Sequence, residues 1–195
     1  MRTDGVARAT IRWDESGEEI ERAFFDTAGK PALNGFGSAV IRQKRDALGN
    51  LIERAFFDTA GKPAPQRDGY ALFRARYDAQ GCLVEKSFHG PDERPVVIKL
   101  GFAHLRSKCD EQGREIERAH FGVSGEPVST REGFSSYRAR YDARGNEIER
   151  AFFGTDGQPA RNAGGAAIVR SQYDERGNLI ELASFGTDGD RKSVV

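Results

Sequence analysis

All three histidines and both cysteines of this 195-residue chain lie between positions 82 and 120: Cys82, His89, His104, Cys109 and His120. Thiolate and imidazole are the ligands that zinc prefers, so the first chemistry to consider is a metal centre. The spacing fits no zinc finger or ribbon. His120 stands in the column of Phe24, Phe56, Phe88 and Phe152, where Ser184 is a further exception, His89 stands in the second phenylalanine column of Phe25, Phe57, Phe121, Phe153 and Phe185, and Cys109 stands where Tyr or Trp is found elsewhere. Substitution inside an aromatic core column accounts for them, and no metal or other cofactor is expected. Two cysteines do not make a disulfide framework.

Carboxylates give the second possibility. Asp14 and Glu21 are seven residues apart, and the same pair recurs along the chain. Calcium needs six to eight oxygens gathered in one loop, and an Asp in a turn with a Glu in mid-strand does not gather them. Gly-x-Ser-x-Gly, His-Glu-x-x-His and the phosphate-binding Gly-x-x-x-x-Gly-Lys-Ser/Thr motif are all missing from the sequence. A single active site also needs residues that depart from a repeat, so the expectation is that the chain is not an enzyme.

The elements that carry these residues come from self-similarity. Asp14, Asp46, Asp78, Asp110, Asp142 and Asp174 are 32 residues apart, as are Gly17, Gly49, Gly81, Gly113, Gly145 and Gly177. No insertion interrupts the period. The organisation expected is one array of six units, at about 5–36, 37–68, 69–100, 101–132, 133–164 and 165–195. In the fifth unit, Gly133 to Tyr141 and Asn146 to Phe153 alternate in character, and Asp142-Ala-Arg-Gly145 and Gly154-Thr-Asp-Gly157 punctuate them. That pattern predicts strand, turn, strand, turn. Pro31, Pro63, Pro95, Pro127 and Pro159 follow the second turn and should weaken pairing there. The fold class is all-β, with about twelve main strands in tandem β-hairpins that form an elongated, twisted antiparallel sheet or a solenoid-like array.

Composition agrees with an array and excludes several functions. Lys+Arg and Asp+Glu are both 30, so the formal charge is zero, which argues against a dedicated nucleic-acid binder. The mean hydropathy is −0.64, and no apolar run is long enough to span a membrane. Met1-Arg2-Thr3-Asp4 has no apolar signal segment, so a cytoplasmic location is the default expectation.

The charged columns are the remaining candidate site. Arg42, Arg74, Arg106, Arg138 and Arg170 repeat, with Thr10 as the exception, and Arg76 and Arg140 stand two residues on. Alternate strands lie about 9.5 Å apart, so these side chains could form a ladder for an anionic polymer or glycan. They could equally pair with the invariant column Glu21, Glu53, Glu85, Glu117, Glu149 and Glu181. Two hairpin registers are open. With a four-residue loop, Arg138 faces Glu149 and Arg140 faces Glu147. With a three-residue loop, Arg138 faces Arg150 and Tyr141 faces Glu147. Like charges directly opposite are unfavourable, so the four-residue loop is preferred. It puts Tyr137, Ala139, Tyr141, Ile148 and Phe152 on one face.

The stretches Tyr141-Asp-Ala-Arg-Gly-Asn146 and Tyr173-Asp-Glu-Arg-Gly-Asn-Leu-Ile180 resemble the YD repeats of bacterial RHS-type proteins. In that family the motif starts a hairpin turn, and long arrays coil into a shell that can enclose a toxin. The resemblance implies a bacterial β-hairpin repeat. The Tyr position is Trp13, Arg45 or Cys109 in other units, and the array is short, so the toxin-enclosing role is not carried over.

The function expected is a non-catalytic scaffold or recognition module whose partner is another protein or a neighbouring domain. The links after the prolines, such as Pro65-Gln66-Arg67 and Arg161-Asn162-Ala163, vary most and are candidate recognition loops. A glycan or polyanion site on the Arg columns is the alternative, and self-assembly through edge strands is a third.

Overall fold

The computed structural model describes residues 5–194, with side chains to residue 192. The Met1–Asp4 segment, on which the signal-segment reading rests, lies outside them. Thirteen strands and no helix are found among the described residues: β1 Arg8–Trp13, β2 Glu19–Phe25, β3 Val40–Arg45, β4 Leu51–Phe57, β5 Leu72–Tyr77, β6 Leu83–His89, β7 His104–Cys109, β8 Glu115–Phe121, β9 Ser136–Tyr141, β10 Glu147–Phe153, β11 Ile168–Tyr173, β12 Leu179–Phe185 and β13 Arg191–Val194. The odd strands β1 to β11 begin 32 residues apart, and so do the even strands β2 to β12. The chain forms two compact units, residues 1–77 with 86–99 and residues 78–85 with 100–195. Within each, consecutive strands pair antiparallel.

Local chemistry makes the first turn of each hairpin. Asp142 Oδ1 accepts from the backbone N–H of Arg144 and of Asn146, both at 2.9 Å. Gly145 sits at φ 91° and donates to Asp142 O at 3.1 Å. A side-chain acceptor at the first position and a left-handed residue at the fourth are what this turn demands.

The register is neither of the two weighed from sequence, and the preferred one is corrected. Asp142 N donates to Asn146 O at 2.9 Å, so Asn146 belongs to the turn and Tyr141 pairs with Glu147. The ladder then shifts by one residue, and Arg140 pairs with Glu149, Ala139 with Arg150 and Arg138 with Ala151. A β-bulge at Ile148 makes the shift. It removes the Arg138–Arg150 encounter that had counted against the shorter loop. The same shift recurs in hairpins β1–β2, β3–β4, β7–β8 and β11–β12. It also moves the isoleucine column off the apolar face, because Ile116 lines the same groove as Glu117, Arg138 and Arg140.

The core lies on the other face. In the second compact unit Phe134, Tyr137, Ala139 and Phe152 are buried together, with Tyr141 and Val169 against them. What covers this face is the connection between hairpins. After Phe153 the chain makes a single bridge at Pro159, returns one bond from Ala160 N to Phe152 O at 3.0 Å, and turns again at Asn162–Gly165. Proline weakens the pairing here as its missing N–H predicts. Successive third turns stack through the backbone: Arg67 N donates to Phe36 O at 2.9 Å, and Arg131 N to Leu100 O at 2.9 Å. A Cβ on Gly133 would come within 2.7 Å of Arg161 O, so the stack requires glycine there. The variable links are thus packed against one another as well as exposed.

β13 exists because the sixth repeat has Arg191 where the others have proline. Phe25, Phe57, His89, Phe121 and Phe153 make only isolated bridges to Pro31, Pro63, Pro95, Pro127 and Pro159. Phe185 pairs with Arg191, and the ladder continues through Ser184–Ser193 and Ala183–Val194. A residue with an N–H lets the strand go on.

Candidate functional site

The Arg and Glu columns share the outer face, and the structure brings them together between hairpins rather than within one. Glu21 pairs with Arg42, Glu53 with Arg74, Glu117 with Arg138 and Glu149 with Arg170, each Arg lying in the following hairpin. The N···O distances are 2.7 Å for Arg42–Glu21, 3.2 Å for Arg74–Glu53, 3.5 Å for Arg106–Glu85, 3.3 Å for Arg138–Glu117 and 2.8 Å for Arg170–Glu149. The other side of each Glu meets a cation of its own hairpin: Arg12 at 3.8 Å from Glu21, Lys44 at 2.6 Å from Glu53, Lys108 at 2.8 Å from Glu117 and Arg140 at 3.7 Å from Glu149. Arg76, at the matching place in β5, is also engaged. Glu21, Glu53, Glu117 and Glu149 are therefore each clamped between two strands.

Thr10 holds the arginine place in β1, which pairs with β2 among the described residues. At the other end Gln172 stands opposite Glu181, and Arg191 of β13 supplies the ion pair to Glu181.

Electrostatics follow the geometry. The Lys108 ammonium, with Arg138 behind it, holds the Glu117 carboxyl below its ordinary value against a modest burial cost. Burial alone would raise Glu53, but Lys44 and Arg74 outweigh it and keep the group low. The arginines also cover aromatic rings. The Arg42 guanidinium lies 4.5 Å from the Phe57 centroid, Arg138 5.2 Å from Phe153 and Arg170 4.9 Å from Phe185. Such contacts contribute about 0.5–1 kcal/mol at exposed sites. They account for the second phenylalanine column, which is half-buried without a sheet above it. An anionic polymer on this face would have to displace carboxylates already bonded to the same arginines.

The histidines and cysteines do not gather. No three His, Cys, Asp or Glu side chains converge as a metal site among the described residues. His89 Nε2 is 2.9 Å from Ser87 Oγ and its Nδ1 is 3.0 Å from Glu93 O. His120 is buried, with Nδ1 2.9 Å from Ser135 O, and burial lowers its pKa. Its ring packs 4.6 Å from Phe102, as a core residue in a Phe column does.

Cys82 and Cys109 form a disulfide across 27 residues, which spacing alone did not reveal. The reason lies in the column that Cys109 occupies. Tyr141 donates its hydroxyl to Glu115 O of the preceding hairpin at 3.0 Å, and Tyr173 does the same to Glu147 O at 3.2 Å. Arg45 reaches the preceding hairpin through Glu18 at 3.0 Å. This column stitches one hairpin to the one before it by a hydroxyl, an ion pair or a covalent bond. Cys109 is thus one chemical version of a recurring contact, and Arg45 and Cys109, which break the Tyr-Asp motif, are substitutes for it.

No known family matches the chain, and no curated protein does. Solved structures with similar strand arrangements include a Photorhabdus luminescens Tc holotoxin pore, with TM-score 0.47 and 13% identity over 95% of this chain and 9% of that one. A TcdB2–TccC3 crystal structure matches with TM-score 0.45 and 12% identity over 95% of this chain and 10% of that one. The chain spans about a tenth of the length of each.

Proposed function

We propose that this chain is a non-catalytic β-hairpin scaffold of the YD/RHS-like kind, which presents its surface to another protein or to neighbouring domains. The observation that supports this reading most is the glutamate clamp. The charged groups that recur are spent on joining each hairpin to the next, which is work a structural repeat needs and a catalytic centre does not. The stitching column and the stacked third turns serve the same end. Repeat proteins draw their stability from such nearest-neighbour contacts and bind along an extended surface. The Cys82–Cys109 bond supports an oxidising compartment, where disulfides persist.

Heparin retention across a salt series separates this reading from polyanion binding. A scaffold with zero net charge elutes at low salt, and Arg74→Glu/Arg138→Glu leaves that unchanged. Retention that falls steeply with salt and vanishes in the double variant would transfer the assignment to the Arg columns.

A further inference from the structure

The third repeat departs from the other five at three positions that hydrogen bonds link to one another. Alanine fills the place of Ser87 in all the other repeats, phenylalanine fills that of His89, and glycine fills that of Glu93. Ser87 and His89 lie two residues apart on β6, so their side chains share one face. It is the outer face, since Ala55 and Phe57, their counterparts in the second repeat, line the same groove as Arg42 and Arg74.

In the other repeats an arginine covers the ring at the His89 place, as Arg8 covers Phe25 at 4.8 Å and Arg106 covers Phe121 at 5.1 Å. The third repeat has no phenylalanine there, and Arg74 Nη2 donates to Glu93 Oε2 at 2.6 Å. Among the described residues Glu93 alone, glycines aside, has a positive φ, at 60°. Left-handed backbone at such a residue has to be held by its surroundings. Here Arg74 holds the carboxylate and His89 holds the carbonyl.

That carbonyl sets the state of the His89 ring. A carbonyl oxygen only accepts, so Nδ1, 3.0 Å from Glu93 O, carries the ring proton. Nε2 of the neutral ring is then a lone pair, and Ser87 Oγ donates to it at 2.9 Å. His89 is 9% exposed and Ser87 is half-buried, so the base is shielded while the hydroxyl can be reached. A hydroxyl bonded to an imidazole whose far nitrogen is fixed by a third group is the arrangement that activates a serine.

We propose that Ser87 is an acyl-acceptor site, which takes an acyl group from an activated ester in one stoichiometric step. Oγ attacks the ester carbonyl carbon, and its proton passes to His89 Nε2. The bond from that carbon to the leaving oxygen breaks, and the imidazolium gives the proton to the departing alkoxide or phenolate. The products are acyl-Ser87 and a free alcohol or phenol, with the ring neutral again. No turnover is involved, so the site goes beyond the scaffold reading without replacing it.

The probe is p-nitrophenyl acetate. The full chain should show a fast phase of nitrophenolate release and gain one acetyl group on Ser87. Peptide mass spectrometry locates that group and separates it from acetylated lysines. Ser87→Ala and His89→Phe each restore the residue that the other five repeats use, so both should keep the β-sheet circular dichroism. Ser87→Ala should lose the fast phase. His89→Phe keeps the hydroxyl but removes its base, and should slow acetylation of Ser87 about a hundredfold or more. No acetyl group on Ser87, or an equal rate at Ser87 in the parent chain and in His89→Phe, would overturn the proposal.

Discussion

Arg170 of β11 donates its Nε to the Glu149 carboxylate of β10 at 2.8 Å, across the boundary between the fifth and sixth hairpins. The partner of Glu149 inside its own hairpin, Arg140, is farther away at 3.7 Å. At Glu149 the shorter contact thus joins repeats, whereas at Glu53 and Glu117 the cation of the same hairpin is the closer one. Because both arginines are largely exposed, the coupling of one pair is small, about 0.2–1 kcal/mol. A double-mutant cycle on Glu149→Gln and Arg170→Gln, read by urea unfolding, should give a value in that range that shrinks with added salt. A cycle on Glu149 and Arg138, which the sequence had paired, should give none.

The disulfide closes a loop across 27 residues, and cross-linking a loop of this length contributes about 3.5 kcal/mol by chain entropy. Cys82→Ser/Cys109→Ser should lower the unfolding free energy by about that amount. Cys82→Asn/Cys109→Tyr should recover part of it, because Asn rejoins the turn as Asn146 does and Tyr can reach Leu83 O as Tyr141 reaches Glu115 O. Equilibrium urea unfolding of the three proteins checks both statements.

Acid should unfold the chain progressively. Side-chain hydrogen bonding from Asn146 holds Asp142 below its ordinary value, and Lys108 does so for Glu117. A carboxylate depressed in the folded state stabilises above its unfolded pKa, and that contribution is lost as pH falls through the folded value. Burial lowers His120 as well, so the neutral ring is favoured in the native state and protonation below its ordinary value of 6.5 also destabilises. Stability measured from pH 8 to pH 3 should therefore decline in the acid direction only. His120→Phe, the residue type of its column, should flatten the part near pH 6.

Arg191→Pro should convert β13 into an isolated bridge like that of Pro159. The backbone amides of β13 should lose protection in hydrogen exchange, and Glu181 should lose its cation. The cost expected is about 1 kcal/mol, checked by urea unfolding alongside the exchange.

The repeat and its turns were legible because they are local. Asp142 and Gly145 encode the turn within four residues, and the alternation of Tyr137 to Tyr141 encodes the strand. The bulge at Ile148 was not, since nothing in its own residue type demands it. It resolves a conflict between turn geometry, which puts Tyr141 opposite Glu147, and charge, which forbids Arg138 opposite Arg150. Pairing also looked local while it was argued inside one hairpin. Cys109 was read as drift for the same reason, because its partner column becomes visible only when Tyr141 and Arg45 are seen to reach backwards.

The sharing of each clamped glutamate has a consequence for how such a chain can change over generations. A gene duplication or deletion of one whole block in the interior brings a new arginine to the place of the old one, so no charge is orphaned and the join heals. A crossover out of phase sets an unmatched carboxylate against the sheet. Growth and shrinkage are thereby confined to steps of a complete block, which is how an uninterrupted spacing can persist without any direct demand on the total length.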